Sequence, residues 1–289
     1  ITDDNSCSYT VAVTITEPDA VSASGSITNV DCNGNSTGSI DFTVTGGSSS
    51  YTYSWDNGAT TQDINTLAAG TYTCTVTESA GCAVGGTTSF QVTEPNAALT
   101  SSSTLTHVDC YAVLIGAIDL TPSGGTAPYN YSWTASNGGS VPSGQSALQD
   151  LSSLDAGDYE CEITDDNGCT TTESVTITSP ASALNASSSN VTQLLTCNGN
   201  NDGQFTITGT GGTTPYTYSN STGNTYNANN DFTAFSGSST FNNLTAGNYT
   251  VRVKDGHACE YDISVSITEP AALSTSASSS TNVSCNAGS

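Results

Sequence analysis

The chain has 289 residues, of which 26 are acidic and only 2 are basic, so its formal net charge is −24. The two basic side chains are Arg252 and Lys254. Nucleic-acid binding depends on Lys and Arg contacts to phosphate, so this composition argues against it, and an anionic membrane surface would repel the chain. No apolar run approaches the ~20 residues of a transmembrane helix, so we expect no membrane insertion in this segment.

Apolar residues alternate with Ser and Thr along much of the chain. In "SIDFTV" the residues Ile40, Phe42 and Val44 fall on one face, and "TYTCTV" and "DISVSI" show the same period of two. This alternation is typical of half-buried β-strands, and no helical periodicity of useful length is visible. The pattern predicts an all-β protein.

Residues 19–95 contain six or seven predicted strands. In chain order they read as a strand at 20–30, a polar turn with Cys32, strands at 39–47 and 51–55, an irregular stretch at 59–67 and a closing hairpin at 70–95. Turn signals every ~8 to 12 residues with this number of strands are typical of an immunoglobulin-like β-sandwich. The Pro of a final Glu-Pro pair ends the last strand, because Pro donates no ladder hydrogen bond.

The same unit recurs along the chain. Four cysteines in the first turn of each copy, Cys32, Cys110, Cys197 and Cys285, are spaced by about 78, 87 and 88 residues. This period exceeds that of solenoid repeats and suits a small sandwich, so we predict a tandem array of separate domains. The predicted units are 1–18 (end of a preceding repeat), 19–95, 96–180, 181–270 with a loop insertion at 221–240, and 271–289 (start of a further repeat).

Each full unit carries the phrase Leu-x-Ala-Gly-x-Tyr, at 67–72, 154–159 and 244–249. The phrase is typical of a tyrosine corner, in which the Leu fills the core, the Gly permits a tight bend and the Tyr hydroxyl returns to the loop backbone. We therefore assign a structural role to Tyr72, Tyr159 and Tyr249.

The ten cysteines fall into three groups. Cys74 and Cys161 lie inside the penultimate strand, where the third unit has Val251, and so we interpret them as free core thiols. The remaining cysteines lie in turns, and a zinc site is disfavoured because Cys-x-x-Cys spacing is missing and His is scarce. The turn groups are Cys32, Cys110, Cys197 and Cys285 in the first turn, and Cys7, Cys82, Cys169 and Cys259 in the last turn.

Two disulfide schemes remain open. Pairing within a unit would join Cys32–Cys82, Cys110–Cys169 and Cys197–Cys259. Sandwich topology favours the other scheme, since the first and last turns of one unit lie at opposite ends, ~30–40 Å apart, while a disulfide needs Cα atoms within about 7 Å. Stacking end to end instead predicts staples across the junctions, Cys32–Cys169 and Cys110–Cys259, with Cys7, Cys82, Cys197 and Cys285 pairing to neighbouring repeats.

No catalytic constellation stands out. The two histidines, His107 and His257, occupy different positions of their units, and a catalytic triad needs a positioned base. Asp165 and Asp166 are weak Ca²⁺ candidates, because hard cations prefer clustered oxygens, but Asp in a turn more often caps backbone groups. We expect no enzyme activity and no cofactor beyond loosely bound Ca²⁺.

The run "CNGNSTGSIDFTVTGG", followed by "YTYSW", "AGTYTCTVTE" and "VTEP", resembles the SprB repeat of cell-surface adhesins of Bacteroidetes, whose namesake acts in gliding motility. The resemblance covers nearly the whole chain. Two departures put uniform packing in doubt: Asn220 replaces the Trp of the other units, and "YAVLIG" at 111–116 replaces the polar first turn.

The resemblance implies a secreted segment displayed on the cell surface. In this interpretation the repeats form the stalk of an adhesin filament, used in surface attachment or gliding, and their partners are neighbouring repeats and the outer-membrane secretion and motility machinery. The alternative is that the repeats themselves bind polysaccharide or another surface, for which the insertion at 221–240 is the place to look.

Overall fold

The computed structural model describes residues 1–16, 19–47, 50–78, 83–189, 195–220, 237 and 239–276. Within these ranges the chain is all-β and contains no helix, which confirms the predicted class. The stretches of the expected loop insertion at 221–236 and 238, and the final residues 277–289, lie outside the described residues.

Repeat 1 is a sandwich of two three-stranded sheets. Its strands are β1 (Ser22–Thr28), β2 (Gly38–Thr45), β3 (Tyr51–Trp55), β4 (Ile64–Leu67), β5 (Gly70–Glu78) and β6 (Ala83–Val92). One sheet has the order β1-β2-β4 and the other β3-β5-β6, with every pair antiparallel. This distribution of sequential strands between two sheets is that of an immunoglobulin-like domain.

Repeats 2 and 3 have the same topology. Repeat 2 consists of β7 (Thr100–Thr106), β8 (Gly116–Ser123), β9 (Asn130–Ser136), β10 (Leu151–Leu154), β11 (Gly157–Thr164) and β12 (Thr170–Ile177). Repeat 3 consists of β13 (Asn185–Ser189), β14 (Gly203–Thr210), β15 (Thr217–Asn220), β16 (Thr240–Leu244), β17 (Gly247–Lys254) and β18 (Glu260–Ile267). Their sheets are β7-β8-β10 with β9-β11-β12, and β13-β14-β16 with β15-β17-β18.

The stretch expected to be irregular contains a short strand in each repeat. β4, β10 and β16 pair with the second strand of their repeats, and the register shifts within each pairing. Thr66, Ser153 and Asn243 lie at matching positions there and adopt φ of 58° to 60°. A bulge of this kind breaks the period-two pattern, which is why the sequence alone did not indicate a strand.

Each repeat has its own hydrophobic core. Phe42, Leu120 and Phe205 occupy the centres of the three cores and are completely buried. Trp55 and Trp133 are also buried. Repeat 3 has Asn220 at the Trp position, and its Phe205 packs against Phe241, with ring centroids 5.1 Å apart.

Candidate functional site: the junctions between repeats

The first turn of repeat 1 lies at the end where the chain leaves the repeat. The Val30 amide donates to the Thr93 carbonyl (2.9 Å), the Gly34 amide to a Glu94 carboxylate oxygen (2.6 Å) and the Asn33 side-chain amide to the Pro95 carbonyl (2.8 Å). The final Glu-Pro pair therefore holds the first turn, in addition to ending the strand.

Repeat 3 repeats this arrangement, with the Gly199 amide donating to Glu269 (2.7 Å) and Asn198 to the Pro270 carbonyl (3.0 Å). Repeat 2 lacks both the donors and the carboxylate acceptor of this arrangement, because Tyr111-Ala112 replaces Asn-Gly and Ser179 replaces Glu. The Asn-Gly turn and the Glu are thus lost together in one repeat, which is a signal in the sequence that the two contact each other.

Replacing Glu94 with Ala is expected to loosen the first turn of repeat 1, because the Gly34 amide loses a charge-assisted hydrogen bond. The bond is exposed, so we expect about 1 kcal/mol, corresponding to roughly five- to tenfold faster amide exchange at residues 31–37. Hydrogen exchange of the intact chain measures this. The matched variant Ser179→Ala should leave the first turn of repeat 2 unchanged, and equal effects in the two repeats would contradict the assignment.

The last turn is organised by a buried carboxylate. Asp165 is 2% exposed, and it accepts hydrogen bonds from the backbone amides of Thr126 (2.8 Å), Asn167 (3.0 Å) and Cys169 (2.8 Å). Asp255 makes the equivalent three bonds in repeat 3, to Thr213, His257 and Cys259, each at 2.9 Å. The carboxylate thus fixes the turn that carries the last-turn cysteine.

This geometry does not favour Ca²⁺ at the predicted pair. The carboxylate oxygens of Asp165 already accept hydrogen bonds from backbone N–H groups, which stabilise the anion and occupy the positions that a cation would need. The side chain of Asp166 is exposed to solvent. Within the described ranges, no three His, Cys, Asp or Glu side chains form a group that could hold a metal ion.

Two disulfides join successive repeats. Cys32 is bonded to Cys169 and Cys110 to Cys259, with Cα–Cα distances of 5.7 Å in both. These are the pairs expected for junction staples, and the four bonded cysteines cannot form the within-unit pairs. The physical reason is the placement of the turns, since the first turn of one repeat faces the last turn of the next.

A hydrogen bond reinforces the first junction. The Asn167 side-chain amide donates across it to the Asp31 carbonyl (2.9 Å) and within repeat 2 to the Thr126 hydroxyl (3.1 Å). The other turn cysteines are placed as follows: Cys7 and Cys197 are exposed and unbonded among the described residues, and Cys82 and Cys285 lie outside them.

The second junction brings together two histidines that the sequence placed in unrelated positions. His107 and His257 line one cleft with Asp109 and Thr213, and His107 Nδ1 accepts a hydrogen bond from the Thr178 amide (3.1 Å). At the first junction Asn29 and Asn167 take the equivalent positions, and Asn29 accepts the matching bond from the Thr93 amide (2.9 Å). Because Asn makes the same contact as His107, the contact itself does not require a proton-transfer group.

Cys74 and Cys161 are completely buried in β5 and β11. Burial disfavours the thiolate, so the pKa of Cys74 is raised above its ordinary value and that of Cys161 is raised to about 11. Both side chains act as core residues, as the Val251 comparison indicated.

The difference in burial predicts how the free thiols of Cys7, Cys74, Cys161 and Cys197, all within the described residues, react. With iodoacetamide at about pH 8, Cys7 and Cys197 should be alkylated quickly, whereas Cys74 and Cys161 should be protected, because the reactive thiolate is disfavoured and the sulfur is inaccessible. Mass spectrometry of the digested protein gives the extent at each cysteine. The same labelling in guanidinium should modify all four, and equal native rates would contradict the buried assignment.

The tyrosine corner forms in all three repeats. Tyr72, Tyr159 and Tyr249 each donate a hydroxyl hydrogen bond to the carbonyl four residues earlier, at 3.0, 3.0 and 2.8 Å. The alanine carbonyl at 68, the aspartate carbonyl at 155 and the threonine carbonyl at 245 are the acceptors. The bond fastens the loop before the fifth strand to that strand.

A second repeated tyrosine was missed at the level of sequence. Tyr129 donates to the Gly124 carbonyl (2.7 Å) and Tyr216 to the Gly211 carbonyl (2.6 Å), while Tyr51 contacts the Gly46 carbonyl in the same way. Each acceptor begins a Gly-Gly turn with positive φ. The constant five-residue spacing of Gly and Tyr in all three repeats was the available signal.

A cleft of about 500 Å³ lies on the β9-β11-β12 sheet and includes Asp158, Glu160, Ser174 and Thr176. A smaller cleft of about 370 Å³ spans the first junction beside the Cys32–Cys169 bond. The described part of the chain also has no helix with the length and apolarity needed to cross a bilayer.

Several solved structures match the chain at low sequence identity. The N-terminal eight Ig domains of Down syndrome cell adhesion molecule match at 12% identity with a TM-score of 0.39, covering 89% of this chain and 44% of that one. Sidekick-1 immunoglobulin domains 1–5 match at 12% identity with a TM-score of 0.39, covering 88% of this chain and 60% of that one. Invasin, a bacterial integrin-binding protein, matches at 13% identity with a TM-score of 0.30, covering 86% of this chain and 60% of that one. The chain spans less than two thirds of each of these three structures.

No curated protein sequence matches the chain. The family model described as "SprB repeat" matches it at three places, residues 24–60, 102–138 and 188–225. Each match begins in the first strand of a sandwich and extends past its third, so the family model matches the first half of each structural repeat once. The chain thus contains three segments that match the SprB repeat, the family that its sequence resembles.

Proposed function

We propose that this segment is a structural stalk in a long extracellular adhesin filament on the cell surface. The observation that carries the proposal is the pair of disulfides that clamp successive sandwiches end to end. A clamp beside each backbone linker restrains bending, which suits a rod that holds a terminal binding domain away from the cell.

The same bonds and the family support an extracellular location, because disulfides persist in oxidising compartments. The net charge of −24 should also resist close lateral packing of filaments at low salt. Assignment to Bacteroidetes, to gliding motility and to export by outer-membrane machinery rests on the family resemblance alone, and we include it in the proposal on that basis.

The stalk role predicts a stiff particle. At ~35–45 Å per sandwich, three repeats should give a rod of ~110–130 Å in the oxidised protein. Small-angle X-ray scattering should show this maximum dimension with a narrow distribution of shapes. The quadruple variant C32S/C110S/C169S/C259S should bend at both junctions and scatter as a broader ensemble, and identical curves for the two proteins would contradict the stalk assignment.

A binding role for the repeats themselves is the competing outcome. The intact three-repeat chain, applied to a glycan array and to polysaccharide-coated surfaces, should remain unbound if it is only a stalk. Saturable binding that disappears when residues 221–240 are replaced by a short Gly-Ser linker would assign adhesion to the repeats.

A further inference from the structure

The two staples are interlaced along the chain. The bonded cysteines occur in the order Cys32, Cys110, Cys169 and Cys259, and the bonds join the first to the third and the second to the fourth. The loops they close span 137 and 149 residues, and both contain the segment from 110 to 169. Two disulfides within single repeats would instead close separate loops.

Interlacing creates a short covalent route through the array. From Cys32 the route crosses to Cys169, returns along repeat 2 to Cys110 and crosses to Cys259. It contains 59 residues of backbone (169 minus 110), whereas the backbone from 32 to 259 contains 227 (259 minus 32). At about 3.5 Å per residue, a taut chain would measure roughly 200 Å by the first route and roughly 800 Å by the second.

We propose that the interlaced staples carry tension and set a limit on how far the array can be stretched. When the ends are pulled apart, force passes backward through repeat 2, from its last turn to its first turn. Once the sandwiches yield, the tight segment contains β8 to β11, while β7 and β12 lie on slack loops. The proposal goes beyond the stalk role, because it concerns large extension and applies whatever the array carries.

The turns that receive the force are anchored into their own repeats. Asp165 and Asp255 each bind three backbone amides around the turns of Cys169 and Cys259. Near Cys110, the Val108 amide donates to the Thr178 carbonyl (2.9 Å), which ties the first turn to the residue after β12. Tension from a staple therefore reaches a hydrogen-bonded sheet and not a loose loop.

Single-molecule pulling on the full chain, held by handles fused at both ends, tests the proposal. The fully stretched oxidised chain should be shorter than the C32S/C110S/C169S/C259S variant by 168 residues (227 minus 59), or roughly 600 Å. Full extension depends on covalent connectivity, so the comparison holds even if a variant folds poorly. Wild-type protein treated with a phosphine reductant after folding should reach the length of the variant.

The single-staple variants give the sharper signature. C32S/C169S leaves a route of 78 residues (110 minus 32), and C110S/C259S leaves one of 90 (259 minus 169). Removing one staple should therefore lengthen the stretched chain by only 19 or 31 residues, roughly 70 or 110 Å. Each increase is far less than half of the increase expected when both staples are removed. All proteins, including the otherwise wild-type chain, would carry Ser in place of the six cysteines outside the two staples, which removes thiols that could exchange with a stressed disulfide. These are Cys7, Cys74, Cys82, Cys161, Cys197 and Cys285.

Two results would overturn the proposal. In the first, the length increases of the two single-staple variants sum to that of the quadruple variant. In the second, the oxidised chain stretches as far as the variant that lacks all four staple cysteines. A rod that bends freely in scattering but shows the predicted lengths would overturn the stalk role alone, so the two failures are distinguishable.

Discussion

Replacing Asp165 with Ala should destabilise repeat 2 by about 3 kcal/mol, since three backbone amides lose their acceptor together. The side chain is 2% exposed, so water can replace it only after the turn opens. Because the turn also positions Cys169, we expect slower oxidation of the first staple during refolding. The loss should be smaller in D165N, which keeps one carbonyl oxygen as an acceptor.

The chain offers a clean readout for this variant. It has two tryptophans, one buried in repeat 1 and one in repeat 2, so urea unfolding in a Trp55→Phe background reports repeat 2 through Trp133. The control is Asp166→Ala, which removes the neighbouring exposed carboxylate and should change stability by less than about 0.5 kcal/mol. A midpoint that rises with added Ca²⁺ in the parent but not in either variant would contradict the capping role and restore the cation site.

Replacing Trp133 with Ala should destabilise repeat 2 by about 3–5 kcal/mol, the range for truncating a large buried aromatic. The indole is 4% exposed, and its Nε1 donates to the Leu148 carbonyl at 2.9 Å. The variant therefore loses core contacts, leaves a cavity and orphans a hydrogen-bond acceptor. Because small domains have only about 5–15 kcal/mol of stability, repeat 2 should become marginal.

Hydrogen exchange resolved by peptide measures this loss repeat by repeat. Protection should fall in β8, β9 and β11, while β2 and β14 keep theirs, because each repeat has a separate core. The control is Tyr111→Ala, which removes a large side chain of the same repeat that is 50% exposed. If protection fell equally in all three repeats, the cores would not be independent.

Repeat 3 provides a natural comparison for the Trp variant. It carries Asn220 at the Trp position, and its Phe205 lies near Phe241 and Tyr249. At the positions of Phe205 and Phe241, repeat 2 has Ile118 and Leu151. Repeat 3 thus combines Asn220 with two aromatic core residues, which the Trp133→Ala variant of repeat 2 does not supply.

Much of the architecture was readable from local pattern. Alternation such as Ile40, Phe42 and Val44 predicted strands, because side chains in a strand point to opposite faces. The phrase ending in Tyr72 predicted a loop-fastening hydroxyl, because the offset between Tyr and loop is set within a few residues of chain. The burial of Cys161 followed from the Val at the same place in repeat 3.

Other features depend on which distant residues meet in space, and local pattern does not contain that information. The sequence left two disulfide schemes open, since separation along the chain does not measure distance in space. The stacking of sandwich ends placed Cys32 beside Cys169, at a sequence separation of 137. Glu94 and Gly34 are 60 residues apart, and Asp165 and Thr126 are 39 apart, so their hydrogen bonds exist only once the sheets have paired.

The sequence by itself determined the repeat, its strands and its buried faces, because these arise from short-range periodicity. The tertiary structure alone decided the junctions, because contacts there form between the ends of separately folded units.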